Sequence, residues 1–400
     1  MKRLECKDSL RRPRLVYIVT TTKSLFFFRG FIAELCTSRF DVSVITSPGP
    51  GQESIRAEGA SIFDVPMNRE ISLFDDIVSL WRLWRVLRRI HPDITNVGTT
   101  KAGLLGGLAA VFAGVPHRIY TLHGLRLETT RGWKRRLLWC TEWIACRCAH
   151  QVYCVSQSLR ELAIDLKLVG KDKSMAIANG TCNGIDIDRF APSPERKDDA
   201  RRLRAKLSID SKALVVGFVG RLTRDKGIPE LYEAFLILSS QFSNLRLLLV
   251  GDYESGDPVP SDIRARIDAD ARVVRTDRVT DTASYYHLMD VLALPTYREG
   301  FPYVPLEAQA SGIPVVTTVA TGARDSLVDG ITGFLTPVGD ATVLAEAISR
   351  LLQDAELRKR MGEAGREWVT RTFDRCIVWA ELKRRYMLAF YQHPNPLQRE

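Results

Sequence analysis

Several features are missing from this 400-residue sequence, and each absence narrows what the chain can be. No run of about 18 apolar residues occurs, so no segment reads as a membrane-spanning helix. The apolar run Leu15–Val19 follows basic residues, but it is too short for a signal-peptide core and no small-residue cleavage site follows it. It reads as a first buried strand. The eight cysteines form no CxxC pair; Cys146 and Cys148 stand too close for the usual zinc knuckle and the others are scattered. That pattern suggests reduced, structural thiols in the cytoplasm. No helix-turn-helix, zinc or RNA-binding signature appears, which argues against nucleic acid as a partner. No carboxylate pair resembles a DxD metal site, since Asp75 and Asp76 in "FDD" read as a helix start. The expectation is a protein needing neither metal nor cofactor.

What is present is an ordinary globular composition with an uneven charge. Hydrophobic residues make up 45% and charged residues 26%. At roughly 100–200 residues per domain, two domains are expected, each with its own core. The net charge is +10, and residues 1–200 hold 30 Lys and Arg against 21 Asp and Glu, so nearly all the excess lies in the first half. That half should meet something anionic: nucleic acid, a lipid phosphate or an acidic membrane surface fits the charge alone. A merely solvated basic surface is the plainer reading.

Strand-like and helix-like runs alternate along both halves. Strands are expected at Arg14–Thr20, Asp41–Ser47, Asp93–Val97, Arg118–Leu122, Gln151–Val155 and Ser174–Ala178, then at Leu214–Val219, Leu245–Val250, Arg272–Val274, Val291–Leu294 and Pro314–Thr317. With helices between them, this order predicts an α/β protein of two doubly wound, Rossmann-like domains. Residues 1–190 form the first, 191–210 a linker marked by Pro192, Pro194 and a charge cluster, and 211–375 the second. Residues 376–400 form a last helix expected to pack back on the first domain. Ligands of such sheets bind at the carboxyl ends of the strands, here in the cleft between the domains.

Two segments stand at such strand ends. In "YREGFPYVPLEAQASG", Tyr297–Gly312, a buried strand runs into a loop and then a helix starting near Tyr303, with Pro305 tolerated in its first turn. A helix start presents free N–H groups and partial positive charge, suited to a phosphate. Glu299 sits on the lip of the loop and Glu307 about one turn into the helix, where carboxylates can accept from sugar and ribose hydroxyls. The alternative is that both merely cap the helix or form surface ion pairs. In "VVGFVGRLTRDKGIPELYEAF", Arg221 and Lys226 flank a post-strand turn that Gly220 can make. A planar fork and a point charge form a useful pair for two phosphates.

"GRLTRDKG" followed by "EGFPYVPLEAQASGIPVV" closely resembles the retaining glycosyltransferases of family 4, which have the two-domain GT-B fold. "NGIDIDRFAP" and "GARDSLVDGITGFLTPVGD" fit that family too, and the resemblance spans nearly the whole chain. Within the family the look is that of bacterial enzymes of capsule, O-antigen or other lipid-linked glycan assembly. The resemblance implies a hexosyl- or N-acetylhexosaminyl-transferase using a nucleotide-sugar donor, UDP-linked, and a polyprenyl-diphosphate-linked acceptor. Arg221 and Lys226 would hold the diphosphate, Glu307 the ribose and Glu299 the donor sugar near its 3-hydroxyl. The amides of Gly300, Phe301, Tyr303 and Val304 would line sugar and phosphate, and Arg278 would lie near the base. His123, in "YTLHGL", would face the sugar from across the cleft. Reaction with retention would proceed by front-face attack, the leaving phosphate helping to take the acceptor proton.

Three positions depart from the family pattern. The first strand–helix turn, "TTTKSLFFFRG", has no glycine before Gly30, so Lys23, Ser24 and the neighbouring threonines must supply its contacts. Asp277 stands where glycine is frequent. Arg324 and Asp325 stand where a Gly-rich turn and Glu are common, and nothing in the sequence explains them.

For the acceptor side, "WRLWRVLRR" and the run Arg131, Trp133, Lys134, Arg135 and Arg136, near His123, mix aromatic and basic residues. That mixture suits an anionic membrane interface and predicts a cytoplasmic protein peripheral on the inner face of the plasma membrane. Other readings are helices that pack their tryptophans on the sheet, a transferase with a soluble acceptor, and a GT-B nucleotide-sugar epimerase.

Overall fold

A computed structural model of the chain describes residues 11–28, 30–68 and 72–392. The ends of the first-domain and last-helix segments, residues 1–10 and 393–400, lie outside the described residues.

Two parallel sheets carry the fold. The first orders its strands β3-β2-β1-β4-β5-β6-β7, with β1 Arg14–Ile18, β2 Asp41–Thr46, β3 Ser61–Asp64, β4 Ile94–Gly98, β5 His117–Leu122, β6 Gln151–Cys154 and β7 Ser174–Ala176. The second orders β10-β9-β8-β11-β12-β13, with β8 Leu214–Val219, β9 Leu245–Val250, β10 Val273–Thr276, β11 Val291–Leu294, β12 Val315–Thr318 and β13 Gly333–Thr336. Each sheet reverses its strand order beside its first strand, β1 or β8. There neighbouring crossovers leave toward opposite faces and open a crevice. The doubly wound pair expected from the sequence is therefore present. The sequence reading missed β3 and β13. Both are four-residue edge strands, too short to display a period.

Alternation along β1 shows how the first core forms. Leu15, Tyr17 and Val19 point to one face, and Val16 and Ile18 to the other. The second face is covered by the helices Leu73–Ile90, Thr100–Phe112 and Gly132–Cys148, through Leu83, Leu87, Ala102, Ala109 and Ala145. The first is covered by Phe31, Ile32 and Leu35, and by the last helix, Arg375–Gln392. That helix buries Val378, Leu382, Tyr386 and Ala389, a helical stripe. Tyr386 also anchors it with polar contacts: its hydroxyl lies 2.9 Å from the Tyr17 hydroxyl and accepts from Asn96 Nδ2 at 2.8 Å.

The segment 191–210, read as a linker, contains regular structure. A helix, Pro194–Lys206, occupies most of it. Ser193 accepts the Arg196 N–H at 3.2 Å, and Pro194 starts the first turn, where its missing N–H costs nothing.

Candidate active site

The second domain assembles its cations from two adjacent strand ends. After β8, the loop from Gly220 to Gly227 lies against the loop that follows β11. The Tyr297 N–H and the Thr296 hydroxyl both donate to the Asp225 carbonyl, at 2.8 and 3.0 Å. This contact aligns two charge pairs side by side. Lys226 Nζ pairs with Glu299, their side chains 18% and 15% exposed. Arg298 pairs with Asp225 at 2.7 Å. Arg221 reaches Glu254 instead, in an exposed contact worth at most about 1 kcal/mol.

The helix Tyr303–Ala310 begins immediately after Pro302, so its N-terminal end follows the loop that carries Arg298 and Glu299. Val304 lies in its first turn. Phe301 is buried against Phe373, with ring centroids 5.3 Å apart. Glu307 accepts from the Tyr286 hydroxyl at 2.5 Å, and burial raises its pKa. Tyr286, buried on the helix Ala283–Tyr286, was not expected from the sequence, because nothing in a lone tyrosine marks it. Arg278 follows β10, exposed, with its backbone N–H donating to Asp252 at 3.1 Å.

From the first domain, His123 follows directly on β5. Burial lowers its pKa to about 4, so the imidazole is neutral at physiological pH. Its Nδ1 lies 3.9 Å from the Cys182 sulfur, and the Phe28 ring meets it edge-on at 6.1 Å. The two domains touch here: a Cβ on Gly300 would collide with the His123 carbonyl oxygen, so only glycine allows this approach. Tyr303 bridges as well, its hydroxyl 3.1 Å from Thr181 Oγ1 and 3.4 Å from Cys182 Sγ. His123, Gly300, Phe301, Tyr303, Glu299 and Lys226 thus form one cluster, with Glu307 one turn along the helix. Arg221 and Arg278 are exposed, on the loops after β8 and β10, against Glu254 and Asp252.

Lys23 and Ser24 lie on the 3-10 helix Thr22–Phe28 at the end of β1, Lys23 exposed and Ser24 half-buried. Arg131, Trp133, Lys134, Arg135 and Arg136 are all exposed at the start of the helix Gly132–Cys148. Trp139 turns inward, donating from Nε1 to the Leu166 carbonyl at 2.9 Å and stacking on Trp143. On the helix Leu73–Ile90, Leu83 and Leu87 are buried while Phe74, Ile77 and Trp81 form an exposed stripe. Phe74 and Ile77 were missed because the helix carries tryptophan on both faces, Trp84 against the core and Trp81 outside, and the sequence gives no sign of which apolar face is free. Among the described residues, no three His, Cys, Asp or Glu side chains converge as a metal site would need, and no helix is long and apolar enough to cross a membrane.

Comparison with known proteins finds relatives for both domains. The model "Glycosyl transferase 4-like domain" matches residues 27–180, and "Glycosyl transferases group 1" matches residues 199–368. The capsular polysaccharide biosynthesis glycosyltransferase CapM of Staphylococcus aureus is 37% identical over 377 residues, 94% of this chain and 97% of that protein. The chain belongs to the group 1 glycosyltransferases. A UDP-Gal:alpha-D-GlcNAc-diphosphoundecaprenol alpha-1,3-galactosyltransferase of Escherichia coli is 27% identical, covering 81% of this chain and 83% of its own. The crystal structure of Anabaena HepE in complex with UDP and glucose superposes with a TM-score of 0.76 at 20% identity, covering 93% of this chain and 99% of that one. That likeness establishes the GT-B fold. The family expected from "GRLTRDKG" and "EGFPYVPLEAQASGIPVV" is therefore borne out for this glycosyltransferase.

Proposed function

We propose that this glycosyltransferase moves a sugar, with retention, from a UDP-linked donor to a hydroxyl of a polyprenyl-diphosphate-linked saccharide in bacterial surface polysaccharide assembly. The observation that supports the reading is the Lys226–Glu299 pair just before the helix Tyr303–Ala310, next to Gly300, whose backbone meets the His123 carbonyl of the first domain. Lys226, Arg221 and the helix N–H groups supply positive charge where a leaving diphosphate would gather negative charge, without a metal ion. Glu299 takes the donor sugar's hydroxyls and Glu307 the ribose, while the amides of Gly300, Phe301, Tyr303 and Val304 line the path between them. Arg278 borders the base. His123, neutral, donates or accepts a hydrogen bond at the sugar. The anomeric carbon–phosphate oxygen bond breaks as the acceptor oxygen bonds the same face. The acceptor proton passes to the departing phosphate.

Lys23 and Ser24, at the end of β1, belong to the acceptor side. The acceptor would arrive along the first domain. Phe74, 78% exposed, and Trp133, 70% exposed, mark the starts of two helices at the carboxyl end of the first sheet, beside Arg131, Lys134, Arg135 and Arg136. This surface would rest on the anionic inner face of the plasma membrane, aromatic rings at headgroup depth. The undecaprenol-linked substrate in the name of the E. coli relative supports such an acceptor.

The test is release of UDP from a panel of UDP-sugars, with and without a polyprenyl-diphosphate-linked acceptor, in the presence of EDTA. Acceptor-dependent release unaffected by the chelator is expected. Release or epimerisation without acceptor would favour an epimerase, and turnover on a soluble acceptor alone would sink the lipid assignment.

A further inference from the structure

Arg324 and Asp325, unexplained by the sequence, acquire partners in the other domain. They follow β12, in a short turn, Arg324–Ser326, at the cleft. Asp325 Oδ2 accepts both the Ser158 backbone N–H, at 3.1 Å, and the Ser158 hydroxyl. Ser158 lies in the first turn of the first-domain helix Gln157–Asp165. Ser156 caps the N–H of Leu159 there, leaving that of Ser158 for Asp325. Arg324 pairs with Glu161, one turn further along the same helix, at 2.8 Å.

The same Ser158 oxygen accepts the Gly322 N–H at 2.7 Å. Gly322, at φ +74, packs so tightly under Glu299 and Gly300 that a Cβ would strike both their carbonyl oxygens. The Glu299 N–H donates to the Thr321 carbonyl at 3.0 Å. A continuous set of contacts therefore runs from the first-domain helix, through the turn 321–325, to the backbone of Glu299.

We infer that Ser158 and Asp325 are positioning residues: by clipping the turn 321–325 to the first domain they seat Glu299 for reaction, and Arg324–Glu161 reinforces the clip from outside. The inference rests on Glu299 acting at the donor sugar. Ser158 is only 3% exposed, so its bonds to a carboxylate are made away from water, where charge-assisted contacts are strongest and unpaired ones cost most. They exist only when the domains are closed. Lys226, Arg221 and Glu307, by contrast, all belong to the second domain, so nucleotide binding does not require the clip.

Asp325→Asn and Ser158→Ala should each lower kcat by ~10- to 100-fold, the scale of a small misplacement of a reacting group. UDP affinity by calorimetry and donor KM should stay within about threefold, as expected when an interaction made mainly in the transition state is lost. Small-angle X-ray scattering of the full chain with UDP should show a larger radius of gyration for both variants. Arg324→Glu should act the same way, more weakly. Adding Glu161→Arg to it should restore compactness and kcat, a rescue that a damaged fold would not show. Unchanged kcat and radius in the folded variants would overturn the inference, as would equal losses of UDP affinity and kcat. If the wild-type chain binds no UDP, the donor-site reading fails instead. The scattering comparison and charge-swap rescue then still decide whether the clip holds the domains together.

Discussion

Both sheets end at the same cleft, yet their surfaces diverge. Around the first, Phe74, Ile77, Trp81, Phe112, Trp133 and Leu137 are exposed among arginines and lysines. Around the second, the large exposed apolar residues among those described are the aliphatic Val319, Ile331 and Val338. At the cleft the contrast reverses. The second domain places charged side chains on one another, Lys226 on Glu299 and Arg298 on Asp225, while the first presents a neutral histidine. One architecture thus serves two tasks. Charge held close by partners suits a small diphosphate, whereas charge spread beside exposed aromatics suits a broad anionic surface.

The sharpest way to break this contrast is at Glu299. Glu299→Gln should lower turnover by ~10²–10³-fold, the usual loss of one preorganised contact, while UDP affinity changes little. Wild-type turnover would remove Glu299 from the chemistry.

The first domain's counterpart is the quadruple replacement of Arg131, Lys134, Arg135 and Arg136 by Ser. At about 1 kcal/mol per exposed cation near an anionic leaflet, sedimentation with phosphatidylglycerol vesicles at low salt should fall by up to ~10²–10³-fold. High salt should weaken the wild type in the same direction. Equal binding to neutral and anionic vesicles, or none to either, would return these residues to a solvated surface.

Smaller effects separate the two cations. Lys226→Ala should weaken UDP binding by about 10- to 100-fold, a charge-assisted contact of roughly 1.5–3 kcal/mol. Arg221→Ala should cost less, because its side chain is 66% exposed. Calorimetry showing no change in either variant would move the diphosphate elsewhere.

The last comparison uses pH. His123 is half-buried, and desolvation lowers its pKa to about 4 from 6.5, so the unfolded chain binds its proton more readily. The stability it contributes is present above about pH 6.5 and is lost as pH falls toward 4. By pH 5 the loss should reach about 2 kcal/mol. His123→Gln should flatten that part of the pH profile in urea unfolding followed by circular dichroism. An unchanged slope would mean that the fold does not hold His123 in its neutral form.

Sequence by itself determined the architecture and the family. Short continuous apolar runs separated by helical ones point to parallel sheets buried on both faces, and residue type with position after a strand marked Arg221, Lys226, Glu299 and Glu307. These are local signals, written within a few residues of one another. What only tertiary structure decided depends on partners far apart in the chain. Tyr286 reaches Glu307 and Ser158 reaches Asp325 because separate strand ends converge, and no local pattern encodes that convergence. Likewise, the helix Leu73–Ile90 carries two apolar faces in sequence, and only packing settled which one, with Leu83 and Leu87, the sheet would bury. The charged segment after Phe190 forms a helix for a nearer reason. Its Ser193 cap and Pro194 start act locally, but charge and proline composition masked them.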